Sequence, residues 1–275
     1  MKPCLVVLTD FSPAAARARA YAAALAAPLG AELHLVHVFF PPPVATEYGM
    51  LVPALDARYA QDTRRSLEQV AASLPVPATA ELVATDLHEA VLQAIDTYHP
   101  LLLVAGLTAT HNQLDEWLSN RALPLARQTG YPLLLVPEHL PDTALRAPRR
   151  LALAVKDQVF ALPAEATAVA PLFDTLGTDI VTVCVLKPEE RAGGWQGHRA
   201  AQHCGLAAVM PRSGLHKVVS DAPGQALLHA ARELSADLLG LLDPGHGWVH
   251  KLFNGSVIDY VLRHTHLPVL LLATR

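Results

Sequence analysis

The hydrophobic positions of this chain fall into short continuous runs separated by longer amphipathic stretches. The runs LVVL (5–8) and LALAV (151–155) contain no polar residue, which is typical of strands buried on both faces of a parallel sheet. Between such runs, Ser12 and Pro13 provide a cap and a first turn for a helix through Leu25, with Gly30 beyond its end. Strands that alternate with helices predict a parallel sheet covered on both sides.

Further signals continue this alternation. A second helical stretch spans 55–74, and Asp86 with Glu89 forms a capping-box pattern. Asp221 with Pro223 is expected to start the corresponding helix later in the chain. The apolar runs that predict the fourth and fifth strands are LLLVAG (101–106), PLLLV (132–136), DLLGLL (237–242) and PVLLL (268–272).

The second part of the chain repeats the first. Asp10 and Asp157 end the first matching pair of blocks, and the order of the blocks is the same in both copies. The matching blocks are CLVVLTD (4–10) with LALAVKD (151–157), GAELHLVHV (30–38) with GTDIVTVCV (177–185), LVATDLHEAVLQAI (82–95) with VVSDAPGQALLHAA (218–231), and TGYPLLLV (129–136) with THLPVLLL (265–272). The aperiodic stretch 141–150 separates the copies. We therefore predict an α/β protein of two tandem Rossmann-like domains, 1–146 (the first half) and 147–275 (the second half).

Composition narrows the functional classes. The 275-residue chain is 52% hydrophobic and 17% charged, which indicates buried cores rather than disorder. A net charge of −4 offers no basic surface for nucleic acid. We expect no membrane span and no signal peptide, because the apolar runs are too short. Three cysteines form no disulfide framework, so we expect a reducing, cytoplasmic setting.

Small and polar residues follow the fourth predicted strand of the second half. Gly245, Gly255 and Ser256 stand there, directly before a plausible helix. Ligands of open parallel sheets lie beyond the carboxyl ends of the strands, and a helix N-terminus attracts anions. No Walker-type lysine accompanies the glycines. The pattern favours recognition of phosphate by backbone N–H groups, although glycines at turns and helix starts are an ordinary structural alternative.

These residues give the chain a specific resemblance. The sequence resembles the universal stress protein family in its tandem two-domain form, through LTDFS (8–12), the apolar end of each second strand and the pattern G-x2-G-x9-G-[ST] after strand four. The resemblance covers nearly the whole chain. It implies a five-stranded parallel sheet of order 3-2-1-4-5 in each domain, as in adenine nucleotide alpha hydrolase-like folds, and a site for ATP or another adenine nucleotide with Mg²⁺.

The resemblance places the better site in the second half. There it assigns nucleotide contacts to Asp157, Val185, Gly245, Gly255 and Ser256. Leu242 replaces the first motif glycine, where it would crowd the sugar, and Lys156 replaces a small residue beside Asp157.

The first half carries a degenerate copy of the pattern. Its matching positions are Asp10, Val38, Gly106 and Ser119. Ala109 stands where the second motif glycine is expected, and Ser119-Asn120 replaces Gly-Ser. The intervening Asp115 and Glu116 would repel phosphates. Asp10 is equally well explained as a turn or capping residue.

Three functions compete at this point. The first is a regulatory protein that binds an adenine nucleotide mainly in the second half. The second is a nucleotide-free scaffold that acts through protein–protein contacts. The third is an enzyme, but the chain has no G-x-S-x-G elbow and no positioned general base, so we predict no catalytic residue and leave slow ATP hydrolysis open. The apolar fifth strands predict pairing between the two domains or in a homodimer.

Two further sequence features have structural explanations. His246 with His250, and the cluster His198, His203 and Cys204, raise the question of a metal site. Two ligands do not close a zinc site, so we predict packing or solvated roles and no metal. The stretch GGWQGH (193–198) is interpreted as a flexible loop.

Overall fold

The computed structural model describes residues 2–39, 43–45, 51–53, 57–108, 123–208, 214–243 and 257–275. The strands of the first half are β1 (Cys4–Leu8), β2 (Glu32–Val38), β3 (Pro43–Ala45), β4 (Leu51–Pro53), β5 (Ala78–Val83), β6 (Leu102–Leu107) and β7 (Leu133–Pro137). Its helices are α1 (Pro13–Leu29), α2 (Ala57–Ala72), α3 (Leu87–Tyr98) and α4 (Leu123–Thr129).

The second half repeats the alternation of strands and helices. Its strands are β8 (Arg150–Val155), β9 (Asp179–Leu186), β10 (Leu215–Val219), β11 (Leu238–Asp243) and β12 (Val269–Ala273). Its helices are α5 (Ala170–Leu176), α6 (Trp195–Gln202), α7 (Pro223–Glu233) and α8 (Val257–His264). Among the described residues, no helix combines the length and the apolarity that a bilayer span requires.

Ten strands form one continuous sheet. Their order is β10-β9-β8-β11-β12-β7-β6-β1-β2-β5, and β3 and β4 form a separate two-stranded sheet. In the ten-stranded sheet, the pairings within each half are parallel, whereas β3 and β4 pair in antiparallel register. Counted along the chain without β3 and β4, both halves show the order third, second, first, fourth, fifth. The α/β prediction of two tandem Rossmann-like units is confirmed.

The two halves join through their fifth strands. β12 pairs with β7 in antiparallel register, with Leu270 opposite Leu134 and Leu271 opposite Leu133. The pairing buries both apolar edges, which would otherwise be open to association with other chains. Because the joining strands are antiparallel, the carboxyl ends of the two sets of parallel strands lie at opposite edges of the sheet. The predicted pairing of the fifth strands thus occurs between the two halves of one chain. The homodimer stays a prediction.

Apolar layers cover both faces of the sheet and continue across this junction. One layer contains Leu134 and Leu270, and the other contains Leu135 and Leu271, all at most 1% exposed. Alternate residues of each central strand point to opposite faces. This alternation explains why these strands are continuous apolar runs in the sequence.

Two of the three predicted helix caps are confirmed. The Ser12 hydroxyl accepts the N–H of Ala15 at 3.1 Å, and the Asp86 carboxylate accepts the N–H of Glu89 at 3.0 Å. The third helix does begin at Pro223 as predicted, but Asp221 is not its cap, because the cap residue of α7 is Ala222 and makes no side-chain cap bond.

The connections after the first strands differ between the halves. β1 leads to the 17-residue α1, whereas β8 leads to a 3₁₀ helix over Glu165–Val169 and then to the seven-residue α5. The interpretation of 193–198 as a loop is also wrong, because Trp195 begins α6. The carboxylate of Asp157 accepts a hydrogen bond from the start of this helix.

Candidate functional site

A cavity of about 660 Å³ lies at the carboxyl ends of the strands of the second half. Each surrounding element contributes to its wall: Asp157 follows β8, Val185 lies near the end of β9, Ser220 follows β10, Leu242 lies in β11 and Ile258 in α8. The volume falls within the range of about 300–1,000 Å³ that is typical of small-molecule sites. Its position is the ligand-binding edge of an open parallel sheet.

The cavity brings together the described positions of the predicted second-half site. Asp157 and Val185 both line it, and so does Leu242, the residue that replaces the first motif glycine. Gly245, Gly255 and Ser256 lie outside the described residues. Val257, which follows Ser256 in the chain and begins α8, lines the cavity.

The charged side chains around the cavity have both signs. Lys156 and Lys187 supply positive charge, and Asp157, Glu190 and Asp221 supply negative charge. All five are exposed to solvent. The apolar part of the wall comes from the strand ends and from helical residues such as Leu227 and Ile258. The cavity thus joins an apolar floor to a polar mouth, a combination that suits a ligand with an apolar ring and a charged group.

Asp157 has a second role that the sequence did not reveal. Its carboxylate accepts the N–H of Gln196 at 2.9 Å, at the start of α6. Hydrogen bonds from the N–H groups of Gly194, foremost, and of Gln196 lower the pKa of Asp157. A carboxylate at a helix N-terminus also interacts favourably with the helix dipole. Asp157 stays a predicted ligand contact, and in addition it holds α6 against the end of β8.

Glycines allow α6 to pack closely against the end of β8. Gly194 has φ of 93°, a conformation that other residues rarely adopt. A Cβ atom at Gly197 would overlap the carbonyl oxygen of Lys156. The three glycines in GGWQGH therefore signal tight packing of α6 on the strand end, and they are the clue that could have identified the helix.

A buried polar network fixes the other side of α6. The Thr182 hydroxyl donates to the carbonyl oxygen of Gly214 at 2.8 Å and lies 2.6 Å from Nδ1 of His198. Since the single hydroxyl proton is used for Gly214, Nδ1 of His198 must donate to Thr182. Nε2 of His198 is then an acceptor, and the Gln202 amide lies 3.2 Å from it. His198 is 5% exposed and has a packing role.

Within the part of the chain that the structure describes, no group of three His, Cys, Asp or Glu side chains could hold a metal ion. Cys184 is a free, buried thiol, and burial raises its pKa to about 11. Cys184 is therefore inert rather than nucleophilic.

Leu242 and Gly106 occupy matching positions of the fourth strands and have different neighbours. A Cβ atom at Gly106 would overlap the backbone of Ala14, because α1 packs directly on β6. In the described residues of the second half, no long helix follows the first strand, since α5 starts only at Ala170. Space is therefore available for the Leu242 side chain. Gly106 has a packing reason, independent of any ligand.

Three of the four predicted positions of the first-half site are described. Asp10 follows β1, Val38 ends β2 and Gly106 lies in β6. These strands are neighbours in the sheet, so the three residues lie at one edge. Ser119 is outside the described residues.

The surroundings of Asp10 differ from those of Asp157. One carboxylate oxygen of Asp10 accepts the N–H of Ser12 at 3.0 Å, which is a local turn contact. The buried Arg19 guanidinium donates to the Thr9 hydroxyl, and Nδ1 of His37 donates to the Thr9 carbonyl oxygen at 2.7 Å. The first half thus uses this strand end for internal hydrogen bonds.

An ion pair joins the two halves at Asp243, which follows the cavity residue Leu242 in β11. Nε of Arg127, in α4, donates to Oδ2 of Asp243 at 2.6 Å, and a second nitrogen reaches Oδ1 at 3.3 Å. The side chains are 16% and 1% exposed. The backbone N–H of Thr274, which lines the cavity, donates to the Asp243 carbonyl oxygen at 2.9 Å. No motif in the sequence indicated this pair.

Sequence comparison agrees with the resemblance. The profile described as "Universal stress protein family" matches residues 4–137 and again 118–273. The chain belongs to the universal stress protein family. No curated protein matches the sequence.

Solved structures show the same tandem architecture. A universal stress protein from Archaeoglobus fulgidus DSM 4304 is 14% identical, with 98% of this chain and 96% of that chain covered and a TM-score of 0.61. A functionally unknown protein from Pseudomonas aeruginosa PAO1 is also 14% identical, with coverages of 98% and 92% and a TM-score of 0.55. At 14% identity, the similarity of these two structures to this chain concerns the fold alone.

Proposed function

We propose that this universal stress protein is a regulatory protein that binds ATP or a related adenine nucleotide, mainly in its second half. The observation that carries the proposal is the cavity at the carboxyl ends of β8 to β11. Asp157 and Val185, two of the predicted contacts, lie in its wall together. Gly255 and Ser256, two more, directly precede the helix that borders it.

The cavity wall suggests how a nucleotide would be oriented. The strand ends around Ala154, Val185 and Leu241 offer an apolar surface for the adenine ring. The start of α8 offers backbone N–H groups, which favour phosphate oxygens. Lys156 and Lys187 add positive charge at the mouth of the cavity.

Mg²⁺ is part of the proposal for a triphosphate. Among the lining residues that the structure describes, the two lysines are outnumbered by the carboxylates of Asp157, Glu190 and Asp221. A bare triphosphate would meet net negative charge there. A bound Mg²⁺ would neutralise part of the phosphate charge, so we expect ATP to bind more tightly with Mg²⁺ than without it.

We propose a regulatory role in the stress response and a cytoplasmic setting. The three free, buried cysteines fit a reducing compartment. Nucleotide binding would act by favouring one packing of the chain over another. The proposal assigns no catalytic residue.

Calorimetric titration of the full chain tests the proposal with a matched pair of variants. Val185→Trp fills the cavity from the end of β9, and Val38→Trp makes the same change at the matching position of β2. Both valines are half-buried. We expect ATP with Mg²⁺ to bind wild type and Val38→Trp, and not Val185→Trp. Circular dichroism verifies that both variants are folded.

Leu242 supports a second candidate function, the nucleotide-free scaffold. Its side chain occupies the cavity wall at the place of the first motif glycine. If wild type shows no binding at millimolar ATP, AMP or cAMP, the scaffold is favoured. Equal loss of binding in both tryptophan variants would contradict the preference for the second half.

A further inference from the structure

The pair Arg127–Asp243 is a buried contact in which one half of the chain supplies a charge to the other. Two nitrogens of the guanidinium reach both carboxylate oxygens, and the Asp243 side chain is 1% exposed. Such two-point contacts fix orientation as well as distance. Removing one partner of a buried pair leaves an uncompensated charge, which is strongly unfavourable.

Asp243 is connected to the cavity in two ways. It follows Leu242 directly in β11, and Leu242 lines the cavity. Its carbonyl oxygen accepts the backbone N–H of Thr274 at 2.9 Å and lies 3.3 Å from the Thr274 hydroxyl, and Thr274 also lines the cavity. A displacement of Asp243 would therefore move two parts of the cavity wall.

The duplication shows that this contact belongs to one half only. The position that matches Asp243 in the first half is Leu107, and the position that matches Arg127 in the second half is Arg263. Leu107 has no carboxylate, and Arg263 donates to Asp259 of its own helix at 2.9 Å. A charge from the first half thus supports the second-half cavity, and the matching residues do not form the reciprocal pair.

We infer that Arg127 is a positioning residue for the nucleotide site of the second half and couples that site to the docking of the first half. The inference rests on the proposed function. Arg127 does not line the cavity, so it acts through Asp243, Leu242 and Thr274. Coupling of this kind is a free energy shared by two sites, and binding at one is altered when the other is loosened.

The test compares ATP affinity, with Mg²⁺, in four full-length proteins under conditions where each is fully folded. Arg127→Met removes the charge, and Arg127→Lys keeps it without the two-point geometry. Arg146→Met is the matched control, because Arg146 pairs with Asp237 at 2.8 Å but is 52% exposed. We expect Arg127→Met to weaken binding by about fivefold or more, Arg127→Lys to recover part of the loss, and Arg146→Met to match wild type.

A double variant distinguishes an effect of Arg127 on ATP affinity from an effect on stability. Arg127→Met with Asp243→Leu removes both charges, which often preserves stability, and places at 243 the residue found at 107. If Arg127 only contributes to stability, this variant binds ATP as wild type does. The inference expects its affinity to stay reduced, because Asp243 no longer ties β11 to α4.

Hydrogen exchange measures the mobility of the cavity wall without requiring a bound nucleotide. Backbone N–H groups in 239–243 and 269–274 should exchange faster in Arg127→Met than in wild type, with 150–155 unchanged. If wild type binds no nucleotide, the proposed function fails and exchange alone decides whether Arg127 positions the cavity wall. Unchanged exchange, or unchanged affinity where wild type binds, overturns the inference.

Discussion

The Asp157 carboxylate accepts the N–H of Gln196 at 2.9 Å, which ties the end of β8 to the start of α6. The matching Asp10 accepts the N–H of Ser12, which lies only two residues further along the sequence. The same residue type at the same strand end therefore serves a long-range contact in one half and a local turn in the other. The duplicated strands have kept their positions while their connections have changed.

Loss of the Asp157 contact should destabilise the second half. Asp157→Ala removes the acceptor at the start of α6, and a lost helix cap costs about 1 kcal/mol. Asp157→Asn retains an acceptor and should cost less. Urea unfolding at pH 7 measures both changes, with Asp10→Ala as the matched control in the first half. Equal stability of Asp157→Ala and wild type would contradict the assignment.

The contribution of Asp157 should depend on pH in a defined direction. Its pKa is lowered in the folded chain by N–H groups of α6, Gly194 foremost. A lowered folded pKa gives stability that is complete above the unfolded value of about 4 and is lost as pH falls through the folded value. The stability difference between wild type and Asp157→Ala should be constant from pH 5 to about pH 8 and shrink in more acidic solution. A difference that grows on acidification would be evidence against the cap.

The hydroxyl group of Thr182 should contribute more to the stability of the fold than the volume of its side chain. Thr182 is 1% exposed and bonds both Gly214 and His198. Thr182→Val preserves the shape and leaves Nδ1 of His198 without its partner, at a cost of about 1–3 kcal/mol, whereas the Gly214 carbonyl oxygen keeps the backbone N–H of Thr182. Thr182→Ser keeps the hydroxyl and is the control. The two variants should differ clearly in chemical denaturation, and similar stabilities would show that the network contributes little.

Gly106 and Leu242 should respond differently to alanine although they match in the duplication. Gly106→Ala introduces a clash with the backbone of Ala14, and overpacking of this kind costs about 1–3 kcal/mol. Leu242→Ala enlarges the cavity and introduces no clash, so its main effect should be on ATP affinity. Urea unfolding and calorimetry of both variants check the contrast. Wild-type stability of Gly106→Ala would show that α1 can move away from β6.

The two halves should unfold in one transition. Their strands form a single sheet, and an apolar layer crosses the junction on each face. Separation of the halves would expose the paired β7 and β12 together with both layers. Far-UV circular dichroism and tryptophan fluorescence should give coincident urea curves. Two resolved transitions would mean that the junction is weaker than the structure indicates.

The sequence predicted the parts of the fold that depend on local patterns. Apolar runs gave the strands, and Ser12 and Asp86 gave two helix starts, since caps act within three residues. The start of α6 at Trp195 was missed because it depends on a distant residue. The partner of Asp157 lies 39 residues along the chain, and local patterns do not identify the partner in such a contact, although the glycines of 193–198 indicate close packing.

The candidate site was predictable only in part. The repeat and the family pattern led to Asp157 and Val185, which lie in one cavity wall. Arg127 could not be found in this way, because its partner Asp243 belongs to the other half of the duplication. The roles of Gly245, Gly255 and Ser256 stay predictions, as do those of Asp10, Val38 and Ser119.

A crystal of the full chain grown with ATP and Mg²⁺ tests the central claim most directly. The account predicts nucleotide electron density in the second-half cavity, with the adenine beside Val185 and the phosphates toward the start of α8. Density at the first-half edge beside Val38 alone, or a second-half cavity that stays empty at millimolar ATP, would contradict it.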